Sequence, residues 1–155
     1  MTLSPDRHEV VAAACERLIP GSAAAGVVDY IEGLLGAFDV SPPRIWAVAP
    51  RGSTFHDLSP FEEIAWRRRL ADWQARYDAE LPLLGDDFAA QSGDEQDARL
   101  RAHPALTSLL YEHACEGMYG APAYGGNREL TGWRTIGFEG DVAPLGYSDD
   151  EVALP

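Results

Sequence analysis

The residues of this chain that are best suited to chemistry are Glu112, His113 and Glu116, which supply two carboxylates and an imidazole. On a helix, His113 and Glu116 are three residues apart and therefore lie on one face. Helix bundles bind metal ions with such pairs, but the Glu-x-x-His order of carboxylate-bridged sites is reversed here, and those sites need acidic ligands from other helices. Two interpretations stay open: a helical metal-binding protein that uses His113 and Glu116, or a hydrogen-bonded pair at the edge of a packed helix.

The other reactive side chains form no recognisable motif. His8, His56 and His103 have no partner at ligand spacing and are expected to be surface or cap residues. Cys15 and Cys115 are far apart in sequence and have no Cys-x-x-Cys spacing, so we expect buried thiols, with a disulfide as the alternative. The nucleophile elbow, the zinc-protease motif and the dinucleotide-binding glycine motif do not occur. The sequence therefore predicts no catalytic machinery.

Charge and composition exclude several classes of function for a chain of 155 residues, the length of one domain. All twelve basic residues are arginines, and twenty-five acidic residues bring the net charge to −13. Without lysine, the chain cannot form a Schiff base, a Walker-A phosphate site or a kinase active site. Its negative charge disfavours phosphate backbones and anionic membranes, so we expect no nucleic acid and no direct membrane insertion.

Hydrophobic periodicity and capping residues predict a mainly α domain of about five helices. The first helix begins behind the N-cap Ser4, and the third begins behind a capping box formed by Ser59 and Glu62. In the second helix, Gly33 and Gly36 weaken the helix and are expected to permit close packing. The predicted helices cover residues 5 to about 19, about 24–38, about 60–80, about 94–102 and 104–119.

The third predicted helix carries an aromatic stripe formed by Trp66, Leu70, Trp73 and Tyr77. Side chains at this spacing share one face of a helix. We expect the stripe to be a core face, with a partner-binding face as the alternative.

Two connecting segments have an unusual composition. Residues 39–58 contain several prolines and an apolar plug formed by Ile45, Trp46 and Val48. Between Asp78 and Asp97 there are seven acidic residues and no basic one, so we expect a solvated connection that keeps the chain soluble.

After Tyr119 the pattern changes, and eight of the fifteen glycines lie in residues 117–155 together with several aromatic residues. Neither helical nor strand periodicity persists there. We therefore divide the chain into a helical domain, residues 1–119, and an extended C-terminal arm of the same domain, residues 120–155. Aromatic residues are rare in disordered segments, so we expect an ordered arm that wraps its own core or another chain.

Glycines permit close backbone approach in this arm, and its aromatic rings supply large apolar areas with few rotatable bonds. Asn127 is expected to fix the turn, because asparagine tolerates a left-handed backbone and bonds to nearby amides. Arg128 and Arg134 are expected to pair with acidic residues of a partner. The predicted partner interface consists of Tyr119, Pro122, Tyr124, Gly125, Gly126, Asn127, Gly132, Trp133, Gly137 and Phe138.

The same stretch carries the order Pro-x-Tyr-Gly-Gly-Asn from Pro122, then Gly132-Trp133, then Ile-Gly-aromatic-x-Gly from Ile136. In this order the chain resembles the gluconate 2-dehydrogenase subunit 3 family. Leu18-Ile19-Pro20 and Val28-Asp29-Tyr30-Ile31 are also similar to the N-terminal part of that family. The resemblance spans nearly the whole chain and is densest over residues 113–140.

The resemblance implies a small, mainly helical, non-catalytic subunit with no cofactor or metal of its own. Its partner would be a large flavoprotein of the glucose-methanol-choline (GMC) oxidoreductase type, which binds FAD and oxidises sugars, sugar acids or polyols. The small subunit would support folding, cofactor loading and, in exported systems, translocation of the large one. From the residues alone, a stand-alone module that binds a small molecule such as a sugar also stays open.

Many members of that family begin with a twin-arginine export signal. Here no adjacent arginine pair precedes Arg67. We therefore expect a cytoplasmic location, with the periplasm as the alternative if the chain has been trimmed.

Overall fold

The fold is that of a computed structural model, which describes residues 3–45 and 57–139. This part of the chain contains six α-helices and no strand, which confirms the predicted mainly α class. Trp46, Val48 and His56 lie outside the described residues. The helices are α1 (Pro5–Leu18), α2 (Val27–Leu35), α3 (Pro60–Glu80), α4 (Gly93–Ala102), α5 (Pro104–Tyr119) and α6 (Thr131–Ile136).

Local capping explains where three of these helices begin. The Ser4 hydroxyl accepts a hydrogen bond from the backbone N–H of Arg7 at the start of α1. Complete capping boxes begin α3, with Ser59 and Glu62, and α4, where the box was not predicted. His103 ends α4 and precedes α5, so its predicted role as a cap residue is confirmed.

Helix α2 begins later than predicted, because residues 21–26 form a turn that is hydrogen-bonded to Glu16 of α1. The Glu16 carboxylate accepts hydrogen bonds from the backbone N–H groups of Gly21, at 2.8 Å, and Ala23, at 2.9 Å. Gly26 then adopts a φ of 71° directly before the helix. The prediction that Gly33 permits close packing is wrong, since a Cβ atom there would meet nothing within 4 Å, and Gly36 ends the helix.

The core lies between α1, α2 and α5. It includes Val11, Ala14, Ile31, Leu110 and Ala114, all of which are fully or almost fully buried. A smaller cluster of Ala37, Ile45 and Leu70 lies between the end of α2 and α3. None of the described helices has the length and apolar character needed to cross a lipid bilayer.

The aromatic stripe of α3 is a core face along most of its length, as predicted. Leu70 and Tyr77 are buried, and Trp66 and Trp73 are half-buried against the two clusters. At the start of the helix, in contrast, Phe61 is 86% exposed.

The connection between α3 and α4 packs into the core, so the expectation of a solvated connection was wrong, but most of its acidic residues are exposed, as expected for a surface that keeps the chain soluble. Leu81, Leu84 and Phe88 are buried in the main core, on two short 3₁₀ turns, Leu81–Leu84 and Phe88–Ala90. Three of the acidic residues from Asp78 to Asp97 pair with arginines of other segments. The pairs are Arg7 with Asp78, Arg17 with Asp97 and Arg99 with Asp87.

Residues 120–139 form short helical turns, Pro122–Tyr124 and Arg128–Leu130, followed by α6. This segment returns to the end of α5 and packs against its backbone. A Cβ atom would lie 2.1 Å from the carbonyl oxygen of Gly117 if added at Gly126, and 1.8 Å from that of Met118 if added at Gly132. Only glycine fits at these two positions, since real Cβ atoms do not approach backbone that closely. The division of the chain at residue 119 stays a prediction.

We predict that Gly132→Ala destabilises the fold by about 3 kcal/mol, the upper range for overpacking, because the obstacle is backbone and cannot move aside like a side chain. Gly33→Ala is the matched control. It lies in a helix interior with free space around it and should stabilise the chain by about 0.5 to 1 kcal/mol. Urea unfolding of both variants measures the two values. Equal stability of the two variants would contradict the close approach at Gly132.

Candidate functional site

Asn127 holds the C-terminal segment against the end of α5. Its side-chain amide donates to the Gly120 carbonyl oxygen at 3.0 Å, and its side-chain oxygen accepts from the Gly132 N–H at 2.9 Å. Its own backbone N–H donates to the Gly117 carbonyl oxygen at 2.7 Å. The side chain is fully buried and the backbone φ is 47°, so the predicted turn-fixing role of Asn127 is confirmed.

The segment also caps the C-terminus of α5. The last carbonyl groups of a helix have no partner within the helix. Here Gly117 and Gly120 receive hydrogen bonds from Asn127, and the indole Nε1–H of Trp133 donates to the Tyr119 carbonyl oxygen at 2.8 Å. One stretch of sequence thus supplies three donors to one helix end.

The turn is held from a second side by α2 and by the turn that precedes α2. The Arg128 guanidinium pairs with the Asp29 carboxylate at 2.8 Å, and the Arg128 backbone N–H donates to the Ala25 carbonyl oxygen at 3.0 Å. Arg128 thus already has an acidic partner within the chain, and the expectation that Arg128 and Arg134 pair with acids of a partner stays a prediction. Glu129 and Leu130 adopt positive φ values of 53° and 59°, a conformation that costs about 1 to 2 kcal/mol per residue.

The ten residues of the predicted partner interface divide by burial. Gly126, Asn127 and Gly132 are buried inside the chain. Tyr119, Tyr124 and Trp133 are half-buried, and Pro122, Gly125, Gly137 and Phe138 are exposed. Phe138 packs edge-on against Trp133, with ring centroids 5.0 Å apart. Two apolar residues of the same segment that we did not predict, Leu130 and Ile136, are also exposed. These two residues could not be added to the predicted interface from the sequence, because the sequence pattern did not predict α6.

A cleft of about 700 Å³ lies beside the turn. It is enclosed by α2, the loop after α2, α3, the end of α5 and the turn itself. Sequence reasoning did not identify it, because its walls come from segments that are far apart in the chain. The lining residues are Asp29, Tyr30, Gly33, Leu34, Arg44, Ile45, Trp66, Glu116, Gly120, Tyr124 and Gly125.

Tyr30 and Glu116 form a hydrogen-bonded pair in this cleft. The Tyr30 hydroxyl donates to a Glu116 carboxylate oxygen at 2.8 Å. Partial burial raises the pKa of Glu116, although the hydrogen bond from Tyr30 works in the opposite direction. Burial, and then the adjacent Glu116 carboxylate, raise the pKa of Tyr30. Glu116 forms no ion pair with the described residues.

The structure does not bring His113, Glu112 and Glu116 together as metal ligands. His113 is fully buried, and its Nδ1 atom lies 3.0 Å from the Tyr77 hydroxyl. Its Nε2 atom has no hydrogen-bond partner among the described residues. The predicted pairing of His113 with Glu116 is also wrong, because each has a tyrosine hydroxyl as its partner.

A different group of possible ligands is formed by His8, Asp29 and Glu32, whose donor atoms lie within 4.8 Å of one another. This cluster could not be predicted from sequence spacing, because His8 lies on α1 and the two carboxylates lie on α2. Both carboxylates already have partners: Asp29 pairs with Arg128, and Glu32 accepts a hydrogen bond from the Leu3 N–H at 3.1 Å.

Both cysteines are free thiols, so the disulfide alternative is excluded. Cys15 is buried on α1, and burial raises its pKa to about 12. Cys115 is half-buried on α5. A thiol with such a pKa is protonated at neutral pH and behaves as a small apolar residue.

We predict that His113 makes stability depend on pH. Burial lowers its pKa from 6.5 to about 4. Between these values the unfolded chain binds more protons than the folded chain, so stability is complete above pH 6.5 and decreases as the pH falls towards 4. The loss should reach about 3 kcal/mol. Urea unfolding across this range measures it.

His113→Gln is the control for this pH dependence, because glutamine keeps a polar partner for Tyr77 but does not titrate. Its stability should change less with pH than that of the wild type. Parallel losses in the two proteins would contradict the role of His113.

Comparison with known proteins identifies the family of this chain. Searches of curated proteins and of solved structures each found no match. The family model described as gluconate 2-dehydrogenase subunit 3 matches residues 5–140, a range that includes all six helices and the turn around Asn127. The chain therefore belongs to the gluconate 2-dehydrogenase subunit 3 family.

Proposed function

We propose that this chain is the non-catalytic small subunit of an FAD-dependent dehydrogenase. In this proposal it binds a large flavoprotein of the GMC type, which holds FAD and oxidises sugars, sugar acids or polyols. The small subunit supports folding and cofactor loading of that partner. Family membership supports a role as a subunit. The nature of the partner and the maturation role follow from the resemblance described above.

The observation that carries the proposal is the two-sided construction of the C-terminal segment. Its inner side, with Gly126, Asn127 and Gly132, is buried against the end of α5. Its outer side leaves apolar surface in water: Ile136 is 58% exposed and Phe138 is 45% exposed. Adjacent exposed apolar side chains on a rigid support are typical of protein interfaces.

The backbone directly before α6, which carries this outer side, is strained. Glu129 and Leu130 keep left-handed backbone angles directly before α6. Strain of this kind persists only where the surroundings enforce it, and it is concentrated at functional sites. We therefore assign the outer side, formed by Leu130, Ile136 and Phe138 together with the edge of Trp133, to the partner interface.

The first test of the function is co-expression with GMC-type flavoproteins from the same genome. We expect one of them to be soluble and flavin-loaded with this chain and poorly loaded without it. The flavin absorbance per mole of purified flavoprotein measures the effect. A large subunit that is equally soluble and equally loaded in both cases would contradict the maturation role.

The second test changes the outer side. Phe138→Asp and Ile136→Asp should each weaken the complex by about 1 to 2 kcal/mol, because they place a charge in a desolvated contact. Leu83→Asp is the matched control, since Leu83 is 49% exposed on the 3₁₀ turn after α3. Pull-down yield or calorimetry on the purified complex measures the difference.

A Phe138 variant tests partner binding more specifically than a Trp133 variant, because the Trp133 indole also donates a hydrogen bond to the end of α5. Trp133→Ala should weaken the complex by more than about 1 kcal/mol, and it should also lower the stability of the isolated chain. Equal binding by the Phe138, Ile136 and Leu83 variants would show that the interface lies elsewhere.

A further inference from the structure

Three possible metal ligands meet at the edge of the contact between α1 and α2. They are the imidazole of His8 on α1 and the carboxylates of Asp29 and Glu32 on α2, and their donor atoms all lie within 4.8 Å of one another. From the sequence, His8 was expected to be a surface or cap residue without a partner at ligand spacing. Its two neighbours come from a different helix, so only the tertiary structure brings the group together.

Core packing fixes the helices that carry these side chains. Val11 lies three residues after His8, on the same face of α1, and is fully buried. Val28 and Ile31, each directly before one of the two acidic residues, are buried in the same cluster. The hydrophobic core therefore sets the backbone positions of all three ligands. Ligands on helices are positioned more precisely than ligands on loops.

Both carboxylates are oriented by contacts that use only one of their oxygen atoms. The Arg128 guanidinium contacts Oδ2 of Asp29 at 2.8 Å, and the Leu3 N–H donates to Oε1 of Glu32 at 3.1 Å. A metal ion can therefore bind through the other oxygen, Oδ1 or Oε2. Outer partners of this kind orient the ligands of metal sites and strengthen binding.

The spacing of the three donors suits one small ion. Zn²⁺ binds nitrogen and oxygen ligands at about 2.0 to 2.2 Å in tetrahedral geometry, which places neighbouring donors about 3.4 Å apart. The donors here are at most 4.8 Å apart, so each pair has to approach by no more than about 1.4 Å. His8 and Glu32 are half-buried and Asp29 is exposed, so their side chains have room for this shift. No hydrogen bond or ion pair joins the His8 ring to either carboxylate, so none has to break.

The charge of the group favours a divalent cation. Arg128 neutralises Asp29, whereas Glu32 forms no ion pair with the described residues. The chain as a whole has a net charge of −13, which attracts cations. An imidazole nitrogen beside two carboxylate oxygens is a donor set for Zn²⁺ and neighbouring transition ions, whereas Ca²⁺ and Mg²⁺ prefer oxygen ligands alone.

We propose that His8, Asp29 and Glu32 bind one divalent transition-metal ion, for which Zn²⁺ is the best match. Water completes the coordination shell. The bound ion joins α1 to α2, and through the pair of Asp29 with Arg128 it lies next to the turn around Asn127. Because its ligands come from two helices, the ion binds the folded chain and stabilises it.

The test is calorimetric titration of the full chain with zinc chloride, on protein that carries no affinity tag and has been treated with a chelator. We expect one Zn²⁺ ion to bind per chain. In a parallel NMR titration the ring signals of His8 should shift, and those of His103, between α4 and α5, should not. No saturable binding, or unchanged His8 ring signals, would overturn the proposal. Equally tight binding of Mg²⁺ would also overturn it, since the imidazole would then contribute nothing.

Matched variants locate the site. His8→Gln and Glu32→Gln should each weaken Zn²⁺ binding about 100-fold, the upper end of the cost of losing an outer partner alone. The Glu32→Gln side chain keeps an oxygen that accepts from the Leu3 N–H. Glu9→Gln is the control, because it removes a charge from an exposed position next to His8 but removes no ligand, and it should change the affinity less than about twofold. Equal affinity in both ligand variants and wild type would overturn the assignment.

Urea unfolding tests the link between the two helices. Saturating Zn²⁺ should raise the urea midpoint of the wild type and leave that of His8→Gln unchanged. An unchanged midpoint in the wild type, despite binding, would show that the ion does not join α1 to α2.

This inference goes beyond the proposed function, and the two can fail separately. The family resemblance implies no metal in the small subunit. Zn²⁺ binding by the isolated chain supports the site even if no flavoprotein associates with it. Conversely, a chain that binds no Zn²⁺ can still bind a flavoprotein through the outer side of the C-terminal segment.

Discussion

The structure depends on a contact between two stretches of backbone. The carbonyl groups at the end of α5 have no partner within the helix, and the segment from residue 126 to residue 133 supplies donors to them. This is possible only because Gly126 and Gly132 have no side chain, so that the segment can approach α5 at backbone distance. Desolvated carbonyl groups are expensive to leave unpaired, so this contact determines where the rest of the segment lies.

Two surfaces follow from that contact. With its inner side fixed on α5, the segment must present Ile136 and Phe138 outward, and it does so on a short helix too small to bury them. On its other flank, the turn carrying Tyr124 becomes one wall of the cleft, facing α2 and α3. Arg128 secures the arrangement by its pair with Asp29 on α2. One anchor thus positions both candidate sites.

Much of the helical scaffold could be predicted because its signals are local. Ser59 and Glu62 form a capping box that spans only four consecutive residues, and α3 begins there at the predicted position. The turn before α2 was missed because its hydrogen-bond acceptor, Glu16, belongs to a different helix. The connection after α3 was predicted to be solvated because most of its charged residues are acidic. Its three apolar residues Leu81, Leu84 and Phe88, which are buried, were not recognised as core residues. The position of Asn127 in the turn could be predicted, but its partners could not.

The sequence by itself determined the mainly α class, the start of most helices, the family and the absence of any lysine chemistry, because these depend on residue types and short spacings. Tertiary structure decided which side of the C-terminal segment is internal, that His113 is bonded to Tyr77 rather than Glu116, and that a cleft exists at all. These features join residues separated by tens of positions. Their proximity arises from core packing and backbone fit, which no local pattern in the chain encodes.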